Sequence, residues 1–143
     1  MRLWHQDLIE HLSQQRVLGQ HRECCALRGK GWNKDHEIVD YVFEHPMSSL
    51  VAYHWYVMYI GSNQHDINFN TAWWDEPYRG KEIGIDTDMI GASDSGRVQG
   101  LFRRATEYGY TIYPEHDEQY LQECIENLQE KGVDISEEVV TCQ

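Results

Sequence analysis

The chain has 143 residues, with 24 acidic against 12 basic side chains for a formal charge of −12, and it is 41% hydrophobic and 12% aromatic. With only 3 Pro and 11 Gly, this composition fits one domain able to bury a core without metal or disulfide staples, and excludes fibrous, low-complexity and disordered classes. The longest apolar run, Leu50 to Ile60, contains His54 and is shorter than the roughly 17–25 residues that cross a bilayer, so no membrane span is expected.

Four helices are predicted in chain order. Ser13 suits the N-cap of a helix over Gln14 to Leu27, ended by Gly29 and Gly31, with Val17, Leu18, His21, Cys24 and Cys25 on one side. Pro46 opens a second, whose run from Leu50 to Ile60 is apolar on most faces and stops at Gly61. Its aromatic and β-branched content would also suit a strand, but eleven residues is long for one. Asn63 to Ile90, carrying Trp73, Trp74 and Tyr78, lacks periodicity and reads as loop. Asp94 or Ser95 caps a third helix with Val98, Leu101, Phe102, Ala105 and Tyr108 in register, Arg97, Arg103 and Arg104 facing elsewhere, and Gly109 at its end. Pro114 starts the fourth, with Glu115, Asp117 and Glu118 in its first turn, Leu121, Cys124, Ile125 and Leu128 as its stripe, and Gly132 closing it. No repeat or linker is visible, so the fold class is all-α.

Charge is unevenly spread. Residues 1–34 carry six basic against three acidic side chains, whereas residues 113–143 carry one Lys against nine acids. Phosphate neutralisation supplies most non-specific affinity for DNA, so any DNA contact is expected to be local and salt-sensitive. The start, Met1-Arg-Leu-Trp-His5, has no secretory signal pattern, which points to a cytoplasmic protein. Cys24, Cys25, Cys124 and Cys142 match neither a zinc pattern nor a disulfide framework, and the eight His form no compact ligand motif. No metal or other cofactor is expected.

The densest reactive cluster is Gln20-His-Arg-Glu-Cys-Cys25, flanked by Arg16 and Arg28. On a helix Glu23 shares a face with Arg16, Gly19, Gln20 and Leu27 while Arg22 points about 100° away, so carboxylate and guanidinium could line two walls of one groove; a solvated or salt-bridged face is the plainer alternative. His21 and Cys24, three residues apart, are close enough for a thiolate pair, but both Cys fall on the apolar side and read as structural. Tyr78-Arg79-Gly80-Lys81 is a basic loop suited to stacking and phosphate contact.

Leu12-Ser-Gln-Gln-Arg-Val-Leu-Gly-Gln-His-Arg-Glu23 resembles the first helix of the pyrimidine dimer DNA glycosylases, the phage-type endonuclease V family. The strings Met1 to His5, Leu18 to Gly29, Gly31-Trp32, Tyr41-Val-Phe43, Tyr78 to Lys81 and Tyr113 to Asp117 are similar to a bacterial and phage branch of it. The resemblance covers most of residues 1–81 and 113–135, with 84–112 as an insertion. It implies a compact helical bundle with long loops, a single endonuclease V-like domain over 1–143, and an acidic C-terminal helix at about 114–131. It further implies an enzyme that flips a nucleotide opposite a cyclobutane dimer, cleaves the glycosidic bond and breaks the strand. The nucleophile in the family is the α-amine, with an intrinsic pKa of about 7.7–8.0. Carried onto this chain, the catalytic residues are Met1, Glu23 and Arg22, and the nucleotide- or phosphate-binding ones are Arg2, Arg16, His21, Arg28, Arg79 and Lys81.

Three features depart from the family pattern: Arg2 follows Met1 where a small residue is exposed by processing, Ala26 replaces an arginine, and the net charge is −12. They leave two readings. One is a DNA glycosylase and AP lyase acting on a damaged or modified base. The other is a phage-type, signal-sequestering protein that binds a small nucleotide in the same pocket. The sequence leaves oligomeric state open, a homo-oligomer included.

Overall fold

The computed structural model describes residues 2–34 and 38–133. Four α-helices carry the fold: α1 (Gln14–Arg28), α2 (Met47–His65), α3 (Ala92–Tyr108) and α4 (Glu118–Glu130). Short 3-10 turns occupy Gln6–His11, Asp40–Glu44 and Thr71–Trp74. The described residues contain no strand, only an isolated antiparallel bridge between Tyr78 and Ile85. None of the described helices is long and apolar enough to cross a membrane. The all-α reading therefore holds, although the 3-10 turns were not legible in the pattern.

The bundle is built around α2. Its buried side includes Leu50, Val51, Tyr53, His54, Val57 and Met58, so the apolar run is a central helix, packed by α1 on one side and α3 on another. Its end differs from expectation. The helix runs through Gly61 to His65 and stops where Asp66 adopts left-handed backbone at φ 54°. Gly61 serves packing instead: a Cβ there would lie 2.6 Å from Phe69 Cζ and 3.1 Å from Val17 Cγ1, so its absence lets the return loop and α1 close on α2.

The caps of α1 follow the sequence. Ser13 Oγ accepts from Arg16 N at 3.3 Å, and Gly29 N–H closes the last turn on Cys25 and Ala26 carbonyls. The buried set is Val17, Gln20, Cys24, Leu27 and Arg28, whereas Leu18 and Cys25 are only partly covered. Helix α3 begins at Ala92 with Gly91 as its cap, three residues before Asp94 and four before Ser95, because the Gly91 carbonyl accepts from Asp94 and Ser95 N–H without a side-chain cap. Arg97 does not face away from the core: its Nη1 donates to Ser48 and Ser49 Oγ, each at 2.7 Å, and ties α3 to the start of α2. In α4 the stripe Leu121, Cys124, Ile125 and Leu128 is the buried set, but the N-cap is Asp117, accepting from Tyr120 N at 2.9 Å. Pro114 lies in the preceding turn, outside the helix.

Candidate active site

The segment before the first 3-10 turn has no ladder or helix of its own to satisfy its backbone, so side chains do it. Gln20 of α1 receives Trp4 N–H at 2.6 Å and donates to the Arg2 carbonyl at 2.9 Å. Tyr53 of α2 donates to the Trp4 carbonyl at 2.6 Å, and Tyr120 of α4 donates to the Leu3 carbonyl at 2.5 Å. Three helices thus lay this segment along α1. Between them opens a cavity of about 420 Å³, whose lining includes Arg2, Trp4, Arg16, Gly19, Gln20, Glu23 and Lys131.

Electrostatically the cavity inverts the rest of the molecule. Among the described residues, Arg2, Arg16 and Lys131 are its cations and Glu23 its one anion. The Arg2 guanidinium carbon and Lys131 Nζ sit 5.8 and 5.2 Å from the centroid of the Trp4 ring, within cation–π range. Gly19 removes a side chain from the turn below Glu23, and Glu23 Oε2 is buried with no hydrogen-bond partner among the described residues. A carboxylate oxygen taken from water and given no donor in return is costly unless something else uses it. The site offers one free base beside three cations, an arrangement suited to moving a proton next to a phosphodiester.

Of the expected site residues, the structure brings Arg2, Arg16 and Glu23 together. Met1 lies outside the described residues, as do His36 and Cys142. Arg22 is exposed and does not line the cavity. Arg28 and Arg79 are corrections. Arg28 is fully buried and donates to the carbonyls of Trp73, Asp75, Glu76 and Tyr78, and Arg79 donates to the carbonyls of Arg28 and Gly29 and pairs with Asp86 at 2.8 Å. Both guanidiniums are spent on holding the loop to the end of α1 and are not offered to phosphate. Lys81 is exposed on a separate hollow beside Trp73 and Lys30, and Tyr78 packs its ring on Trp73 at 4.8 Å. Sequence reading missed Trp4, Gln20 and Lys131. Lys131 is the one Lys against nine acids in the tail, and Gln20, placed on the Glu23 face, has no role there that its residue type alone signals.

His21 points away from the cavity and into a different cluster. Its Nδ1 lies 2.8 Å from His54 Nε2, and Cys25 Sγ, not Cys24, is its sulfur neighbour, 3.6 Å from Nε2. The three ligand-type atoms fall within 4.8 Å, the one such group among the described residues. Arg28 Nη1 stands 3.0 Å from His54 Nδ1 and can only donate, so His54 accepts there and gives its Nε2 proton to His21. A metal-bound imidazole keeps a proton on its other nitrogen, which here would face that guanidinium, so the cluster as arranged suits a hydrogen-bonded stack and not a metal. Burial pushes the Cys25 thiol up to about 12.

The same burial makes stability depend on pH. Desolvation, then Arg28 and His21, hold His54 well below the imidazole range; desolvation, then Arg22 and Arg28, bring His21 down to about 4; desolvation, then His5, brings His116 to about 3. The folded chain keeps these rings neutral, while the unfolded chain takes up protons below about pH 6.5. Their contribution is therefore complete above about pH 6.5 and is lost progressively as pH falls toward 4. Urea midpoints measured between about pH 7.5 and 4 should decline in step, and a flat profile would contradict the buried neutral imidazoles.

The pyrimidine dimer DNA glycosylase family profile matches residues 1–75, a stretch that contains the tethered N-terminal segment, α1 with Glu23, and the whole of α2. No curated protein and no solved structure gives a match. With half of its length matched and the cation-walled carboxylate lying inside that half, the chain belongs to the pyrimidine dimer DNA glycosylase family.

Proposed function

We propose that the protein is a DNA glycosylase and AP lyase acting on a damaged or modified base, with the chain's α-amine as nucleophile and Glu23 as its acid and base. Family membership already carries a pyrimidine dimer glycosylase-type function and a DNA substrate at a coarse level. The observation that supports the finer reading is the Glu23 oxygen without a partner among the described residues, in a cavity bordered by Arg2. A neutral amine attacks the sugar C1′, the base leaves with the glycosidic electron pair and a proton, and ring opening gives an iminium. Glu23 then takes a C2′ proton and the 3′ phosphate departs. Arg2, Arg16 and Lys131 hold the strand, and Arg22, exposed on the adjoining face, extends that contact.

Residues 84–112 fall outside the matched stretch and contain α3, which packs on α2 and contributes nothing to the cavity lining. We read them as an insertion that buttresses the central helix of a single domain.

The test is borohydride trapping on duplex DNA with an abasic site at low salt, followed by mass spectrometry of the peptides. An adduct on the N-terminal peptide is expected. No adduct, with a trapped family enzyme as positive control, sinks the amine mechanism. The charge of −12 around a small cationic cavity favours a second reading, capture of a small nucleotide. Duplex binding weakens steeply from low to physiological salt, whereas a small-ligand pocket changes little, so a salt titration separates the two.

A further inference from the structure

The side-chain tethers on residues 2–4 are unequal in what they require chemically. Tyr53 and Tyr120 each supply one hydroxyl donor to one carbonyl. Gln20 does two opposite things at once: its Oε1 accepts from Trp4 N–H and its Nε2 donates to the Arg2 carbonyl. The pair of bonds grips the backbone on both sides of Leu3, and a primary amide supplies an acceptor and a donor at that spacing without carrying charge. The side chain is 2% exposed, and Tyr53 Oη lies 3.0 Å from the same Oε1, fixing the amide's orientation from behind. A buried amide aimed at chain backbone in this way does no chemistry. It does set distance, because Gln20 and Glu23 stand three residues apart on one face of α1 and line the same cavity.

We propose that Gln20 is a positioning residue that sets the register of residues 2–4 against α1, and that the chemistry at Glu23 depends on this register. The inference rests on the amine mechanism proposed above and adds to it the device that fixes this register. Without the amide, residues 2–4 keep their tyrosine tethers but can slide or rotate along α1. Misplacing a reacting group by about 1 Å can cost on the order of 100-fold in rate. Substrate affinity is affected far less, because Arg16 and Lys131 on the cavity walls are not held by the amide and keep their contacts when Arg2 shifts.

The full-length protein is compared with Gln20→Met, which keeps the side-chain volume and removes both hydrogen bonds, and with Tyr53→Phe, which removes only the hydroxyl. Three quantities are measured: the single-turnover trapping rate at saturating protein on abasic duplex, the affinity for that duplex, and the thermal melt. Gln20→Met should lower the saturated rate by about 10-fold or more with affinity within about 3-fold of wild type, and Tyr53→Phe should give a smaller fall of the same kind. A merely structural role would instead lower the melting temperature and leave the rate of the folded fraction unchanged. Wild-type protein that traps nothing overturns the amine mechanism and this proposal together. Wild-type trapping matched by cooperatively folded Gln20→Met overturns the positioning role alone. If Gln20→Met does not fold, Gln20→Asn, which keeps the amide but is one methylene too short to make both bonds, decides: a rate equal to wild type overturns the proposal, and a reduced rate at unchanged affinity supports it.

Discussion

Glu23→Gln should remove strand cleavage on dimer-containing or abasic duplex, by at least about 100-fold in single-turnover rate, while the melting temperature stays equal to wild type or rises. The two halves of this expectation come from the same atom. Glu23 Oε2 is buried and has no partner among the described residues, so the folded state bears the cost of a poorly solvated carboxylate oxygen without a compensating hydrogen bond. Glutamine keeps the shape and removes the charge, which relieves that cost. Among the described residues lining the cavity it also removes the one carboxylate able to take a proton, since Arg2, Arg16 and Lys131 are cationic and Gln20 is committed to the backbone. A stabilised, inactive variant is the signature of a residue held for function and not for fold. Cleavage at wild-type rate would mean that another base acts, and the proposed role of Glu23 would be abandoned.

Periodic elements with one wet face were legible in the sequence. The stripe of α4 was read residue for residue, because apolar and acidic positions alternate at helical spacing on a helix that exposes its outer face. The centrality of α2 was equally clear from an apolar run with no polar face. What escaped has identifiable physical causes. The turn at Gln6–His11 is a short 3-10 segment, too brief to show a period, although it buries Leu8 and Ile9. Gly61 reads as a helix stop by local propensity, and the approach of Phe69 and Val17 explains why a glycine sits mid-helix. At the site, Glu23 and Arg16 were visible because their spacing on α1 is local. Lys131 could not be, since it reaches Trp4 across the whole chain, and summing the tail's charge hid it. Arg28 was misassigned to phosphate by the ordinary rule that arginine is exposed. His54 reaches His21 and Arg28 from α2, a contact that no motif spacing encodes.

Arg28→Leu should destabilise the fold by about 3 kcal/mol or more in urea denaturation, because each buried acceptor left without its donor costs roughly 1–3 kcal/mol and several are left. The guanidinium is 0% exposed, and burial lowers its pKa to about 10, which still leaves it charged at neutral pH. Among the described residues it forms no salt bridge. Its compensation is a cage of dipoles: Nη1 donates to the Trp73 carbonyl at 2.8 Å and to His54 Nδ1 at 3.0 Å, and Nη2 reaches the carbonyls of Asp75 and Tyr78, each at 2.9 Å, and of Glu76 at 3.3 Å. The Trp73 ring lies 5.0 Å from its central carbon. Leucine fills part of the volume and leaves the carbonyls of Trp73, Glu76 and Tyr78 and an imidazole nitrogen without a donor among the described residues, the Asp75 carbonyl keeping Tyr78 N–H, so the segment from Trp73 to Tyr78 loses its anchor to α1 and α2. Arg28→Lys should recover only part of the loss, because three ammonium hydrogens on one atom cannot serve carbonyls spread around a planar fork. A loss below about 1 kcal/mol for Arg28→Leu would show that water replaces the guanidinium and that the cage is not what holds the loop. The folded Arg28→Lys protein also distinguishes anchor from phosphate contact: its DNA affinity should keep the wild-type slope against salt, whereas Arg16→Gln, on the cavity wall, should lower that slope by about one.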